Sequence, residues 1–86
     1  MKPLVLPQVN LNGTSRQCLV EQQSSVLHVL RSLLKVMAQA YPNGRDYQLR
    51  PAEHAPAREA WEERMQIIEN MRKEIEAHAL AIHESK

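Results

Sequence analysis

A single interruption divides an otherwise helical sequence pattern in two. Two prolines and a glycine fall within the eleven residues from Tyr41 to Pro51. Proline disfavours helix at the residue before it, and glycine tolerates the left-handed turn that often ends a helix. We therefore predict that a long helix ends at Tyr41 or Pro42, that Gly44 adopts the left-handed conformation just beyond, and that the chain folds back as a helical hairpin.

The segment before the interruption predicts a first helix over about residues 15–41. Thr14 and Gln17 have the spacing of a capping box at its start. The apolar residues of this helix cover an arc of roughly 200°, twice what one neighbouring helix can cover. They are Leu19, Val20, Val26, Leu27, Val29, Leu30, Leu33, Leu34, Val36, Met37 and Tyr41. We therefore expect a homo-oligomer, most simply a dimer whose hairpins pack as a four-helix bundle.

The segment after the interruption predicts a second helix that begins at residue 52 or 56 and ends near 83. Apolar residues recur there every seven positions, a spacing typical of a coiled-coil seam; they are Trp61, Ile68, Ile75 and Ile82. Opposite charges four residues apart indicate a solvated face, in the pairs Arg58–Glu62, Glu69–Lys73 and Arg72–Glu76. The predicted fold class is all-α, with Trp61, Ile68 and Leu33 buried in the core.

Residues 1–13 predict an extended arm ahead of the hairpin. Pro3 and Pro7 restrict this segment to an edge strand or a polyproline-like run. Its apolar residues suit packing on an apolar surface, either on the arm's own hairpin or on a neighbouring subunit.

The composition argues against several function classes. The balance of 11 Lys+Arg against 10 Asp+Glu is unlike that of a protein that binds nucleic-acid backbones strongly. Only three aromatic residues and one cysteine are present, which leaves no base-stacking platform and no cysteine-based zinc site. No apolar run has membrane-spanning length. We predict a cytoplasmic protein that is not an enzyme and holds neither a metal nor a cofactor.

The turn itself, over residues 42–51, is the candidate binding site. A hairpin needs only two to five connecting residues, and this connection is longer and carries charge and a ring. Two arginines offer planar donors for phosphate or carboxylate, a tyrosine can stack on a ring, and the Asn-Gly pair can present backbone N–H groups. The candidate residues are Asn43, Gly44, Arg45, Asp46, Tyr47 and Arg50. The alternative is an ordinary turn in which Arg45 pairs with Asp46 or a nearby glutamate.

Two short motifs carry a resemblance to known proteins. The run Val-Asn-Leu-Asn-Gly-Thr-Ser over residues 9–15, with Gln22 after it, and the run Pro-Asn-Gly-Arg-Asp-Tyr over residues 42–47 resemble small phage and prophage proteins that are mostly uncharacterised. A weaker likeness is to the phage hairpin domain that sequesters cyclic-nucleotide immune signals, through a Pro-x-x-Arg-acid turn. The second helix departs from the pattern of that domain.

This resemblance implies a phage counter-defence protein, acting in the infected bacterial cell, that sequesters a small anionic nucleotide-type signal without catalysis. Arg45 and Arg50 would hold phosphate, Tyr47 would stack, and Asn43 and Asp46 would orient the turn. The alternative is a protein–protein inhibitor or adaptor, in which the apolar arc, the arm or the turn docks onto a host bacterial protein.

Overall fold

The computed structural model describes residues 1–85, which contain two α-helices and no β-strand. The first helix, α1, spans Arg16–Gln39, and the second, α2, spans His54–Glu84. Two short 3₁₀ turns, Gly44–Tyr47 and Pro51–Glu53, lie between them. The predicted all-α class is confirmed, and the predicted helix ends differ from the observed ones by at most two residues.

The two helices pack side by side in opposite directions. The indole Nε1 of Trp61 donates to the carbonyl of Met37 at 2.8 Å, and the hydroxyl of Tyr41 donates to the Glu62 carboxylate. These bonds join the end of α1 to the first half of α2. At the other end of the molecule, Arg16 and His83 line one surface depression. The chain is therefore an antiparallel helical hairpin.

The start of α1 differs from the predicted capping box. The cap is Ser15, whose hydroxyl accepts from the backbone N–H of Cys18 at 3.2 Å. The Gln17 side chain donates instead to Glu21, one turn further along the helix. The capping box of Thr14 and Gln17 is wrong because the helix begins one residue later than that box requires, and Ser15 occupies the capping position.

Four hydrophobic residues form the buried core of the hairpin: Leu27 and Leu30 on α1, and Ala79 and Ile82 on α2. The seam of α1 that faces α2 follows steps of three and four residues and continues to Leu34 and Met37, which are half-buried. So few buried side chains amount to a small core for a chain of 86 residues.

The three predicted core residues have different environments. Trp61 and Ile68 are only half-buried, and Leu33 is 39% exposed. Leu33 comes one residue before the seam residue Leu34, so its side chain lies about 100° around the helix from α2. The expected burial of Leu33 is therefore wrong for a single hairpin.

The arm lies along the hairpin of its own chain. Met1 to Leu4 and Leu6 of the arm line one groove of about 510 Å³ together with Glu74, Ala77, His78 and Ala81 of α2. Before α1, the carbonyl of Asn10 accepts from the N–H of Gly13, and its side chain accepts from the N–H of Asn12. These bonds form a tight turn that reverses the chain from the arm into the helix.

One charged cluster on α2 is less exposed than its spacing predicts. The Arg72 guanidinium contacts Glu69 at 2.7 Å and Glu76 at 2.6 Å, and its side chain is only 19% exposed. The Arg72–Glu76 pair is confirmed, whereas Glu69 bonds to Arg72 rather than to Lys73. The hydrogen bonds that Arg72 donates to Glu69 lower the pKa of Glu69, because they stabilise its ionised carboxylate.

The hairpin is a long rod of 63 × 22 × 17 Å with a radius of gyration of 18.4 Å. A compact domain of this length would have a radius of gyration of about 12 Å. Within residues 1–85, neither helix contains a stretch long and apolar enough to cross a membrane.

Candidate functional site

The connection between the helices consists of two hydrogen-bonded 3₁₀ turns and has no glycine in the left-handed conformation. The side chain of Asn43 accepts from the N–H of Arg45, and its carbonyl accepts from the N–H of Asp46, both at 3.0 Å. No glycine in residues 1–85 has a positive φ angle. The predicted left-handed conformation of Gly44 is therefore wrong, because Asn43 caps a 3₁₀ turn that Gly44 begins in ordinary right-handed geometry.

His54 holds the turn in place from the first position of α2. One of its ring nitrogens, Nε2, lies 3.2 Å from the carbonyl oxygen of Pro42. Its ring stacks on the ring of Tyr47, with centroids 5.5 Å apart and an interplanar angle of 23°. A Cβ atom at Gly44 would lie 3.4 Å from the same imidazole. The two 3₁₀ turns are thus folded around one half-buried histidine.

His54 is not among the site residues predicted from the sequence. The only feature of the sequence that points to His54 is its position, three residues after Pro51 and near the predicted start of the second helix. Its contacts with Pro42, Gly44 and Tyr47 depend on how the chain returns to the hairpin, and that path is not encoded in any residue spacing.

A shallow groove of about 430 Å³ runs along the outer side of this turn. Its lining consists of Arg45, Asp46, Tyr47, Gln48, Leu49, Arg50 and Glu53. Four of the six predicted site residues are therefore brought together: both arginines, Asp46 and Tyr47. Asn43 and Gly44 are not part of the lining, since Asn43 caps the first turn and Gly44 lies against His54.

The groove carries both signs of charge. Arg50 and Glu53 approach to 3.4 Å, but the Arg50 side chain remains 77% exposed, so this ion pair is weak and open to exchange. Arg45 makes no ion pair with any carboxylate in residues 1–85, so the alternative that it pairs with Asp46 or a nearby glutamate does not describe this turn. Two exposed guanidinium groups and one tyrosine ring face offer anion binding and stacking.

The backbone contributes less to such binding than the sequence suggests. The Asn43 and Gly44 N–H groups that the sequence suggested belong to residues outside the groove lining. Within the lining, the N–H groups of Arg45 and Asp46 are already bonded to Asn43. An anion in the groove would therefore depend on the arginine side chains. Since one face of the Tyr47 ring is occupied by His54, a ligand ring would stack on the other face.

A second open groove, of about 800 Å³, lies between the helices on one side of the hairpin. It is lined mainly by apolar surface from Leu34, Ala38, Met65 and the ring of Tyr41, with Glu62, Gln66 and Glu69 along one edge. Its apolar floor is of the kind on which the apolar face of an amphipathic helix packs.

In the part of the chain that the structure describes, no three histidine, cysteine, aspartate or glutamate side chains gather closely enough to hold a metal ion.

Comparison of the chain with protein-family models, with curated proteins and with solved structures yields no match.

Proposed function

We propose that this chain is a non-catalytic binding protein that holds a small anionic ligand, of nucleotide type, in the groove of its turn. The observation that carries the proposal is that Arg45, Arg50 and Tyr47 line one exposed groove. Arginine binds phosphate through paired N–H donors, and an aromatic ring stacks on a base. Together they match the two chemical parts of a nucleotide.

The support from His54 favours binding at this turn. A groove whose shape is set before the ligand arrives loses less conformational entropy on binding than a flexible loop does. His54 contacts Pro42, packs against Gly44 and stacks on Tyr47, so the backbone that carries both arginines is held by one side chain. The activity would be affinity alone, which suits the sequestration of a signal by a phage protein in an infected bacterium.

Asp46 and Glu53 oppose this binding, because each places a carboxylate in the same groove. Phosphate must compete with Glu53 for Arg50, whereas Arg45 is available without such competition. We therefore assign the larger share of anion binding to Arg45. Replacement of Glu53 by glutamine removes the competitor and one repulsive charge, so it should strengthen anion binding.

The test is titration calorimetry of the full chain against cyclic dinucleotides, cyclic oligonucleotides and adenosine-ribose compounds. Binding should weaken at least tenfold, about 1.4 kcal/mol, in Arg45→Ala and should strengthen in Glu53→Gln. Arg58→Ala is the matched control, because Arg58 is exposed on α2 but does not line the groove. Absence of binding across the panel, or equal losses in Arg45→Ala and Arg58→Ala, would refute the proposal.

A second candidate function is inhibition of, or adaptor binding to, a host protein. The observation that favours it is the wide groove of Leu34, Ala38 and Met65 between the helices, which fits the apolar face of an amphipathic helix. In that case a purified partner would bind the wild-type chain and lose affinity on Met65→Glu, while Arg45→Ala would have no effect.

A further inference from the structure

A second apolar face runs along α1, separate from the seam that meets α2. Its residues are Val26, Val29, Leu33 and Val36, and all four are exposed. Each lies one position before a seam residue, so this face is turned about 100° away from α2. In a four-helix bundle each helix packs against two neighbours, so it carries two apolar seams about 90° apart around its axis.

The same face continues onto α2. Ile67, which is 51% exposed, lies one position before the seam residue Ile68. In an antiparallel pair, residues one position before the seam on each helix fall on the same side of the pair. Val26, Val29, Leu33, Val36 and Ile67 therefore form one surface, here called the valine face.

The opposite side of the hairpin carries more charged residues. Residues one position after the seam fall there, and they include His28, Arg31, Lys35, Glu62, Glu69 and Glu76. The hairpin thus has an apolar side that packing between its own two helices does not bury.

The arm limits the valine face at one end. Glu74, His78 and Ala81 come one position before Ile75, Ala79 and Ile82, so they lie on the same side of the hairpin as Ile67. These three residues and the arm line one groove, so this part of the side is occupied by the chain itself. The part nearer the turn, with Leu33, Val36 and Ile67, is left open.

The elongated chain exposes more surface than a compact monomer of its mass. The accessible surface is 6920 Å², against roughly 5,200 Å² for a compact monomer of this mass. The excess of about 1,700 Å² belongs to the whole rod with its arm, and it exceeds the roughly 800 Å² that each partner covers in a standard interface, so a second rod packed alongside has surface to cover. We propose that the valine face is the interface with a second copy of this chain, the two hairpins pairing about a twofold axis as a four-helix bundle.

A second copy fits this surface for a chemical reason. A twofold interface brings the same surface of both chains together, so that surface must be self-complementary. The five side chains of the valine face are all apolar, so two copies of the face can pack on each other without burying a charge from it; the charged Arg64, one position before the half-buried Met65, lies beside Ile67 on the same side of α2. This inference does not depend on the ligand proposed for the turn.

The test is sedimentation equilibrium of the full chain with three single variants. The wild type should have twice the mass of one chain at micromolar concentration. Leu33→Glu and Ile67→Glu should each raise the dissociation constant of the dimer by at least about tenfold, because each buries a carboxylate in the interface. Leu80→Glu is the matched control, since Leu80 is 55% exposed and lies one position after the seam, on the opposite side; its dissociation constant should stay within about twofold of the wild type.

Leu33→Ala is a milder variant for the case in which a glutamate prevents folding. Alanine favours helix, so weaker association with circular dichroism unchanged would come from the lost contact alone. A monomeric wild type would overturn the inference. Equal changes in the dissociation constant for Leu33→Glu and Leu80→Glu would also overturn it, because the valine face would then contribute no more to the dimer than the opposite side does. The valine face would in that case be covered by a foreign protein or left exposed.

Discussion

The indole of Trp61 bridges the two helices by donating to the backbone carbonyl of Met37 at 2.8 Å. Met37 lies in the last turn of α1, where carbonyl groups lack the usual partner four residues ahead in the helix. That carbonyl also accepts from the N–H of Ala40 at 3.2 Å. Trp61 therefore anchors the end of α1 to α2 just before the chain enters the turn.

Trp61→Phe should destabilise the hairpin by about 1 kcal/mol, the typical net value of one hydrogen bond. Phenylalanine keeps an aromatic ring at the seam but cannot donate to Met37. Urea unfolding at a fixed protein concentration measures the difference, and concentration must be matched because association also stabilises the fold. A loss above about 3 kcal/mol would show that packing of the indole, rather than its hydrogen bond, dominates at this site.

Gly44→Ala should be neutral or should stabilise the protein by about 0.4–1 kcal/mol. Gly44 does not have a positive φ angle, and the added Cβ would meet the His54 ring at 3.4 Å, an ordinary contact. Alanine also restricts the unfolded chain, which favours folding. Thermal unfolding of both proteins measures the change. Destabilisation by more than about 1 kcal/mol would instead indicate the left-handed conformation that the sequence predicted.

Ile82→Ala should cost about 2–5 kcal/mol, the usual range for removing a large buried aliphatic side chain. Ile82 is 1% exposed, the most buried large side chain in the core. Leu80→Ala, two residues away on the exposed side of α2, should change stability by less than about 0.5 kcal/mol. Chemical denaturation distinguishes them, and similar losses in both variants would mean that the seam between the helices is wrongly assigned.

Acid should weaken the fold partly through Glu69. Its pKa is lowered below the ordinary value of 4.5 by the hydrogen bonds from Arg72. A lowered folded-state pKa means that the ionised carboxylate stabilises the fold above about pH 4.5, and that this contribution disappears as the pH falls through the lowered pKa. Glu69→Gln should therefore lose less stability than the wild type between pH 5 and pH 3.

Glu63→Gln is the control for that measurement, because Glu63 is exposed on the same helix and makes no ion pair within residues 1–85. Its pH profile of thermal unfolding should follow that of the wild type. Identical profiles for Glu69→Gln and the wild type would show that the bond to Arg72 contributes nothing to the acid sensitivity.

The sequence predicted those features that depend on neighbours along the chain. Pro42 and Pro51 placed the break between the helices, and the apolar periodicity placed the helices themselves, to within two residues at each end. Arg45, Asp46, Tyr47 and Arg50 were predicted as one cluster because they are close in sequence, and all four line the same groove. Local spacing is sufficient for such features, since helix geometry and short turns bring nearby residues together.

Features that depend on distant residues needed the tertiary structure. Periodicity alone could not distinguish the seam of Leu27 and Leu30 from the valine face around Leu33, because both sets repeat at helical spacing and only the position of α2 separates them. Nor could it connect His54 to Pro42 and Tyr47, or Trp61 to Met37, since these contacts form only when the chain returns along itself. The positions of the helices and the residues that share the turn therefore follow from local sequence. The packing of α2 on α1 decided which apolar face is buried, because a helix with two similar faces buries the one that its neighbour covers.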